Sequence, residues 1–307
     1  MNLTHTPDLD GATAFMTTHA RLLDRRRYEL LRGTGTPASV VTALDAYRNG
    51  DGGYGWALEP DLRSAHSQPV GALLAFEVFE ECGPAVFARA TQLCGWLESI
   101  TRADGGVPFA LPMSGPDAAG SATFWARADP DVSSLHMTSE LAAAAHRVGR
   151  HDPDVREHPW LARATAFCHD RISALTRPPH VIEFRFVLDF LDTIHDTHPW
   201  APAELDRLAA FLPKDGSPLP VEDGVEGEAL RLLDFAPRPG RPLRALLDAG
   251  VIADELDRLA ADQRADGGWT VDWKPYSPAA DVEWRGYATV RALTILRAHG
   301  VSLTRDH

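Results

Sequence analysis

Apolar residues recur at i, i+3, i+4 and i+7, with charges opposite, in five stretches: VVTALDAYR (40–48), AVFARATQLCGWLESIT (85–101), PWLARATAFCHDRISAL (159–175), APAELDRLAAFL (201–212) and VIADELDRLAADQ (251–263). That period predicts amphipathic helices with one wet face. After each comes a loop and then a stretch that is apolar nearly all round: PVGALLAFEVFEE (69–81), SSLHMTSELAAAAH (133–146), IEFRFVLDFLDTI (182–194), EGEALRLLDF (226–235) and EWRGYATVRALTIL (283–296). A helix without a polar face belongs in an interior. Half-wet and buried helices thus alternate, a pattern satisfied by an outer ring of helices around an inner one. TAFMTTHARLLDRRRYELL (13–31) adds a sixth element, and strand signals are negligible. The expectation is an all-α toroid: residues 1–34 form an N-terminal helix completing the barrel, and 35–307 form five α/α hairpin repeats of one domain.

The junctions repeat as well. Asp-Gly-Gly occurs at Asp51 (RNGDGGYGW), Asp104 (TRADGGVPF) and Asp266 (QRADGGWTV), and KDGSPLP places Asp215 in the register between the last two. The unit expected near 160–178 has lost its glycines and reads HDRISALTRPPH. About five units of roughly 50–55 residues tile the chain, the signature of stacked supersecondary units. Glycine supplies the positive φ of a tight reversal, and an aromatic ring follows at Tyr54, Phe109 and Trp269.

These words resemble a known family. Helix, Gln-x-x-x-Gly-x-Trp, loop, helix is similar to the QW-type repeat of squalene-hopene and oxidosqualene cyclases, with Gln263, Gly267 and Trp269 in the matching positions. DGGYGW and DGGVPF also resemble the repeat of protein prenyltransferase β subunits. The resemblance covers roughly residues 35–300 and implies the (α/α)6 toroid, whose inner helices surround an apolar cavity open at one end. Family cyclases usually carry two such barrels, and this chain has the length for one.

Composition narrows the partners. The chain has 307 residues, 44% hydrophobic and 24% charged, with 43 acidic against 30 basic side chains and a net charge of -13. So acidic a surface argues against nucleic acid, which needs a basic face, and against an anionic membrane. Cys82, Cys94 and Cys168 are odd in number and set in apolar helical patterns, as expected of buried free thiols in a reducing compartment. The start, MNLTHTPDLDGATAFM, lacks a basic segment followed by an apolar run, and no stretch approaches a membrane span. A soluble, cytoplasmic protein is expected.

In such a toroid the loops feeding the inner helices converge on the cavity mouth. They carry Glu59, Asp61, His66, Asp129, Asp131, Glu183, Arg185, Glu222, Asp223, Glu226, Asp281, Glu283 and Arg285. Acidic groups there also cap helix N-termini, so capping and chemistry both account for them. The cyclase resemblance implies an Asp-x-Asp-Asp acid at an inner-helix start. Asp131-Val132-Ser133-Ser134 stands in its place, with Ser133 at the proton donor's position. A serine hydroxyl cannot protonate a C=C bond. Asp129 and Asp131 are therefore the candidate acid–base pair, since like charges push one pKa up, with His136 as a relay.

Glu183 and Glu283 are candidates to orient or polarise. Trp56, Trp125 and Trp284 flank the carboxylates, where ring faces stabilise positive charge. Phe184, Trp273, His66, Arg185 and Arg285 complete the expected binding surface. The prenyltransferase resemblance implies zinc on an Asp, a Cys two residues later and a distant His, yet none of the three cysteines follows an Asp by two residues. His195 and His198 lie at a helix end before Pro199, where solvated capping suffices. No metal or cofactor is expected. The function expected is metal-free acid–base cyclisation or isomerisation of an isoprenoid or other lipophilic molecule in a central apolar cavity. The alternatives are a zinc prenyltransferase-like transferase, a non-catalytic ligand-binding or scaffold toroid, and a carbohydrate-active toroid.

Overall fold

Helix starts are well marked along the chain. Asp8 and Asp248 accept two backbone N–H groups each at the starts of their helices. Thr36 and Ser39 form a reciprocal capping box, and Ser134 and Ser277 cap the helices that follow them. Such caps satisfy orphan donors that a helix leaves at its first turn.

The structure, a computed structural model, describes residues 4–303, so the outermost ends of the two expected segments, 1–3 and 304–307, lie outside the described residues. Among the described residues twelve helical elements alternate: α1 (Leu9–Thr18), α2 (Leu22–Leu31), α3 (Pro37–Leu44), α4 (Pro69–Glu81), α5 (Ala88–Ile100), α6 (Leu135–Gly149), α7 (Pro159–Ser173), α8 (Val181–Ile194), α9 (Ala201–Ala209), α10 (Leu232–Phe235), α11 (Ala249–Ala261) and α12 (Pro278–Ala298), with further single turns in the loops. Odd-numbered helices lie outside and even-numbered ones inside. The inner ring packs α4 on α6, α6 on α8, α8 on α10 and α12 on α2. Ion pairs bridge the remaining two junctions: Arg27 of α2 pairs with Glu81 of α4 at 2.7 Å, and Arg291 of α12 joins Asp234 of α10 at 3.0 Å. The fold is an all-α toroid of paired helices, as the periodicity predicts. No helix among the described residues is long and apolar enough to cross a membrane.

Two elements differ from expectation. Residues 13–31 form two helices, α1 and α2, so the first unit is itself a hairpin. The reversal at Ala20 packs against Gly286 of α12, where an added Cβ would lie 3.1 Å from the Ala20 side chain, and Arg25 donates to the freed Ala20 carbonyl at 3.1 Å. EGEALRLLDF is also not one helix. Leu219–Pro220 (β1) pairs antiparallel with Ala229–Leu230 (β2), and only the turn α10 remains helical. Prolines at 218 and 220 and the positive φ of Asp223 (60°) and Gly227 (86°) divert this segment from a helix.

The Asp-Gly-Gly turns are one structure in three copies. The first glycine has φ of 93°, 92° and 93° at Gly52, Gly105 and Gly267. The aspartate accepts the second glycine's N–H at 2.9, 3.1 and 3.2 Å. That second glycine faces the next helix pair: a Cβ on Gly106 would sit 2.5 Å from Ser133 Cβ. The same aspartates reach the coming inner helix, Asp51 through Ser67 (2.8 Å), Asp104 through Ser133 (2.6 Å) and Asp266 through Arg285 (2.7 Å).

The Gln-x-x-x-Gly-x-Trp copy closes the ring. Gln263 accepts the Asp8 N–H at 2.7 Å and donates to the carbonyls of Asp8 and Gly267, both at 2.8 Å. It thereby ties the end of α11 to the start of α1. Trp269, 2% exposed, donates from Nε1 to Leu259 O at 2.7 Å, which caps α11. Gln263→Ala is expected to cost about 1–2 kcal/mol in urea unfolding. A change within a few tenths would mean that packing alone holds the ring shut.

Candidate functional site

Between the two helix layers Trp160 of α7 stacks on Phe76 of α4 at 6.4 Å, and between two inner helices Phe184 of α8 packs edge-on to Phe235 of α10 at 5.7 Å. Phe184, 1% exposed, is thus buried at the seam between two neighbouring inner helices. The lumen itself is charged, which corrects the expected apolar cavity. Tyr287 of α12 donates its hydroxyl to Glu77 of α4 at 3.0 Å, so the bond bridges the two neighbours of α2 in the inner ring. Arg27 lies 5.0 Å from the Tyr287 ring. Arg147 of α6 bonds Glu80 (2.6 Å) and Asp189 of α8 (2.8 Å).

The side chains lining the middle are Glu77, Glu140, Arg185, Asp189, Asp234, Tyr287 and Arg291, all half-buried. Burial raises Glu77 and lifts Glu140 well above the usual carboxylate range, with Arg185 opposing the second shift. Against the upward pull of burial, Arg238 and Arg147 hold Asp189 well below its ordinary value. Arg291 and Arg185 do the same, less strongly, for Asp234. The lumen thus sorts its acids into two carboxyls raised by burial and two arginine-paired carboxylates.

Above this layer stands an aromatic collar. Trp125 stacks on Phe109 at 4.6 Å, Phe109 meets His136 at 5.2 Å, and His136 lies 4.8 Å from Phe186. Burial, with the charges of Arg185 and His180, brings His136 down to about 3, so its imidazole is neutral. Its Nε2 lies 3.7 Å from Glu140 one turn along α6. Glu183 accepts the His136 N–H at 3.0 Å and caps α6, and burial raises its own carboxyl.

The other side of the mouth is knitted from three loops. Asp61, 5% exposed, accepts Trp284 Nε1 at 2.8 Å and the Tyr276 N–H at 2.7 Å. Arg63 pairs with Glu283 at 2.9 Å and donates its N–H to Ser121 at 2.9 Å. Trp284 meets Trp273 at 5.0 Å and Tyr287 at 5.4 Å, both edge-on.

Of the residues singled out in the sequence, His136, Glu183, Arg185, Trp125, Trp273, Trp284 and Glu283 gather at the lumen and its mouth. Asp129 and Asp131 do not. Both are exposed; Asp129 accepts the Asp131 N–H at 2.9 Å, and Asp131 pairs with Arg102. Ser133 is bridged to Pro108 and bonded to Asp104, and Ser134 N–H donates to Val107 O. Tying the inner-helix start to the glycine turn directs Asp131 outward, where it lines an open groove of about 570 Å³.

Trp56 is 56% exposed and donates to Asn49 at 2.8 Å. His66 is exposed and bonds Asp117 at 2.7 Å. Arg285 clamps Asp266 and lies 4.6 Å from the Phe15 ring, so it holds a turn. Glu222, Asp223, Glu226 and Asp281 are exposed.

Glu77, Glu140, Asp189, Tyr287 and Arg291 escaped the sequence reading because each is a single polar residue in an apolar run. A signal was present: His136–Glu140, Arg185–Asp189 and Tyr287–Arg291 are each spaced i, i+4, a polar stripe on a buried helix.

The cysteines are buried and free, and burial pushes Cys82 and Cys94 up to about 12. Among the described residues no group of three or more His, Cys, Asp or Glu is arranged to hold a metal ion.

No protein-family model matches the sequence, nor does any curated protein. Solved structures do match. The type II terpene cyclase MstE from Scytonema, in complex with geranylgeranyl dihydroxybenzoate, is 12% identical, with 96% of each chain covered and a TM-score of 0.52. A protein from Actinoplanes is 14% identical over 94% of this chain and 98% of that one, with a TM-score of 0.53. The likeness establishes a terpenoid cyclase-like fold.

Proposed function

We propose that this chain is an acid–base enzyme that cyclises or isomerises an isoprenoid or similar lipophilic molecule, with Glu140 as the proton donor. The carrying observation is a buried Glu140 carboxyl 3.7 Å from the His136 imidazole and below an aromatic collar, where burial lifts it well above the usual carboxylate range. In this reading Glu140 takes the role that the sequence alone gave to Asp131 and Asp129. Its O–H proton moves to a substrate C=C bond, whose electron pair forms the new C–H bond and leaves a carbocation. Ring faces of Phe109, Trp125, Phe186 and Trp284 stabilise that charge without trapping it. Loss of a different proton to His136 completes the isomer, and the imidazolium returns the proton to Glu140. Reactant and product then have one formula, and the lumen ends as it began.

The test uses geranylgeranyl dihydroxybenzoate, the substrate named for the Scytonema cyclase, alongside mass spectrometry of small molecules that co-purify with the protein. Product of unchanged mass and altered retention is expected with the native chain. Glu140→Gln, which keeps the shape and removes the acid, is expected to lower the rate at least about 100-fold. Turnover that survives in the variant would remove Glu140 as the acid.

A further inference from the structure

Three other arginines that inner helices send into the lumen end on carboxylates: Arg27 on Glu81, Arg147 on Glu80 and Asp189, Arg291 on Asp234. Arg185 does not. Among the described residues its guanidinium lies 4.7 Å from the Phe186 ring and makes no hydrogen bond or ion pair. The acids in its field are already committed. Asp189 is held by Arg147 and Arg238, Asp234 is held by Arg291, and burial lifts Glu140 well above the usual carboxylate range. A guanidinium does not shed its proton, so one positive charge and its forked N–H donors face the lumen with no ion pair of their own.

We propose that Arg185 binds a single carboxylate carried by an otherwise apolar substrate, seating that head group on the charged floor while the tail lies along the aromatic collar. This rests on the acid–base reading, which adds an argument of its own. A carbocation forming beside Glu140 would be repelled by an uncompensated guanidinium, whereas a substrate that brings its own carboxylate cancels that charge before the proton moves. The charge count also selects the head group. One carboxylate matches one free cation, while a diphosphate would leave excess negative charge beside Asp189 and Asp234. Phe186, under the guanidinium, and Phe109 and Trp125 beyond His136 supply the apolar wall.

The experiment compares calorimetric binding of farnesoate, farnesol and farnesyl diphosphate to the native chain and to Arg185→Met, with melting temperatures recorded alongside. Farnesoate is expected to bind the native chain at least about tenfold more tightly than farnesol, the strength of a charge-assisted pair. Arg185→Met is expected to erase that preference, to leave farnesol unchanged, and to melt no lower than the native chain, because it removes a desolvated charge that has no partner. Equal or absent binding of farnesoate and farnesol, a preference for the diphosphate, or a variant that melts several degrees lower or fails to fold would each overturn the assignment. The head-group preference is read from binding alone. Its loss with Glu140-dependent turnover intact sinks only the carboxylate, and its presence with Glu140-independent turnover sinks only the acid.

Discussion

Arg147→Met is expected to lower stability by about 3–5 kcal/mol, the cost of stripping the partner from a buried ion pair. Arg147 is 8% exposed, and its guanidinium reaches Glu80 on α4 at 2.6 Å, Asp189 on α8 at 2.8 Å and Thr193 at 3.1 Å. It is therefore the rivet joining three consecutive inner helices. Methionine matches the length of the stem, so the loss is electrostatic and leaves little cavity. Glu80 would keep no cation of its own, and Asp189 would keep only Arg238. Chemical denaturation measures the loss, which should appear as a melting point lower by about 5–8 °C. Adding Glu80→Gln should recover part of it, because the two changes share one partner. A loss below about 1 kcal/mol would show that water reaches Glu80 and Asp189 freely enough to replace the arginine.

The same network explains which parts of this molecule were legible in the sequence. The toroid was, because its signals are local and repeated: glycines at φ near 93°, aspartates folding back on them, and helices with one wet face. The helix ends expected at residues 69 and 81 are the observed ends of α4. Chain-end pairing across Gln263 and Asp8 was not legible, because nothing in either segment names the other. EGEALRLLDF failed as a helix for a physical reason that was visible: two glycines flank its first residues, and prolines precede it.

The lumen is the deeper miss. Helices that read as apolar all round carry one or two charges each, and such charges vanish in a count of apolar positions. Their meaning depends on partners 42 to 67 residues away, as Arg147 shows with Asp189 and Glu80. Motif position misled in the opposite direction. Asp129 and Asp131 occupy the place where the resemblance to cyclases implies an acid, yet the serine pair that follows them is consumed in anchoring the helix start. Chemistry in a barrel follows which face of the inner helix a residue occupies, and the stripe His136–Glu140 marks that face.

Stability is expected to fall between pH 6.5 and pH 8, and Glu59→Gln is expected to remove much of that fall. Glu59 and Asp61 lie side by side at 6% and 5% exposure, with Glu59 Oε1 accepting the Asp61 N–H at 3.2 Å. Burial, and then the charge of Asp61, push Glu59 from 4.5 up to about 8. The folded chain therefore keeps a proton that the unfolded chain releases above about 4.5, so stability declines as pH rises through that window and levels off above 8. Glu77 and Glu140, raised by burial, add in the same direction. His136 and His146 act oppositely: burial holds both near 3, so below about 6.5 the unfolded chain binds protons that the fold refuses, and stability declines on acidification. The two effects compete between 4.5 and 6.5, and only the carboxyls act above it. Across its whole window Glu59 contributes a change of the order of 5 kcal/mol, about 2 kcal/mol of it between pH 6.5 and 8. Urea unfolding at pH 5.5, 6.5 and 8 reads it directly. A native chain as stable at pH 8 as at pH 6.5, or a glutamine variant whose profile runs parallel to the native one, would mean that Glu59 ionises in the fold at no cost.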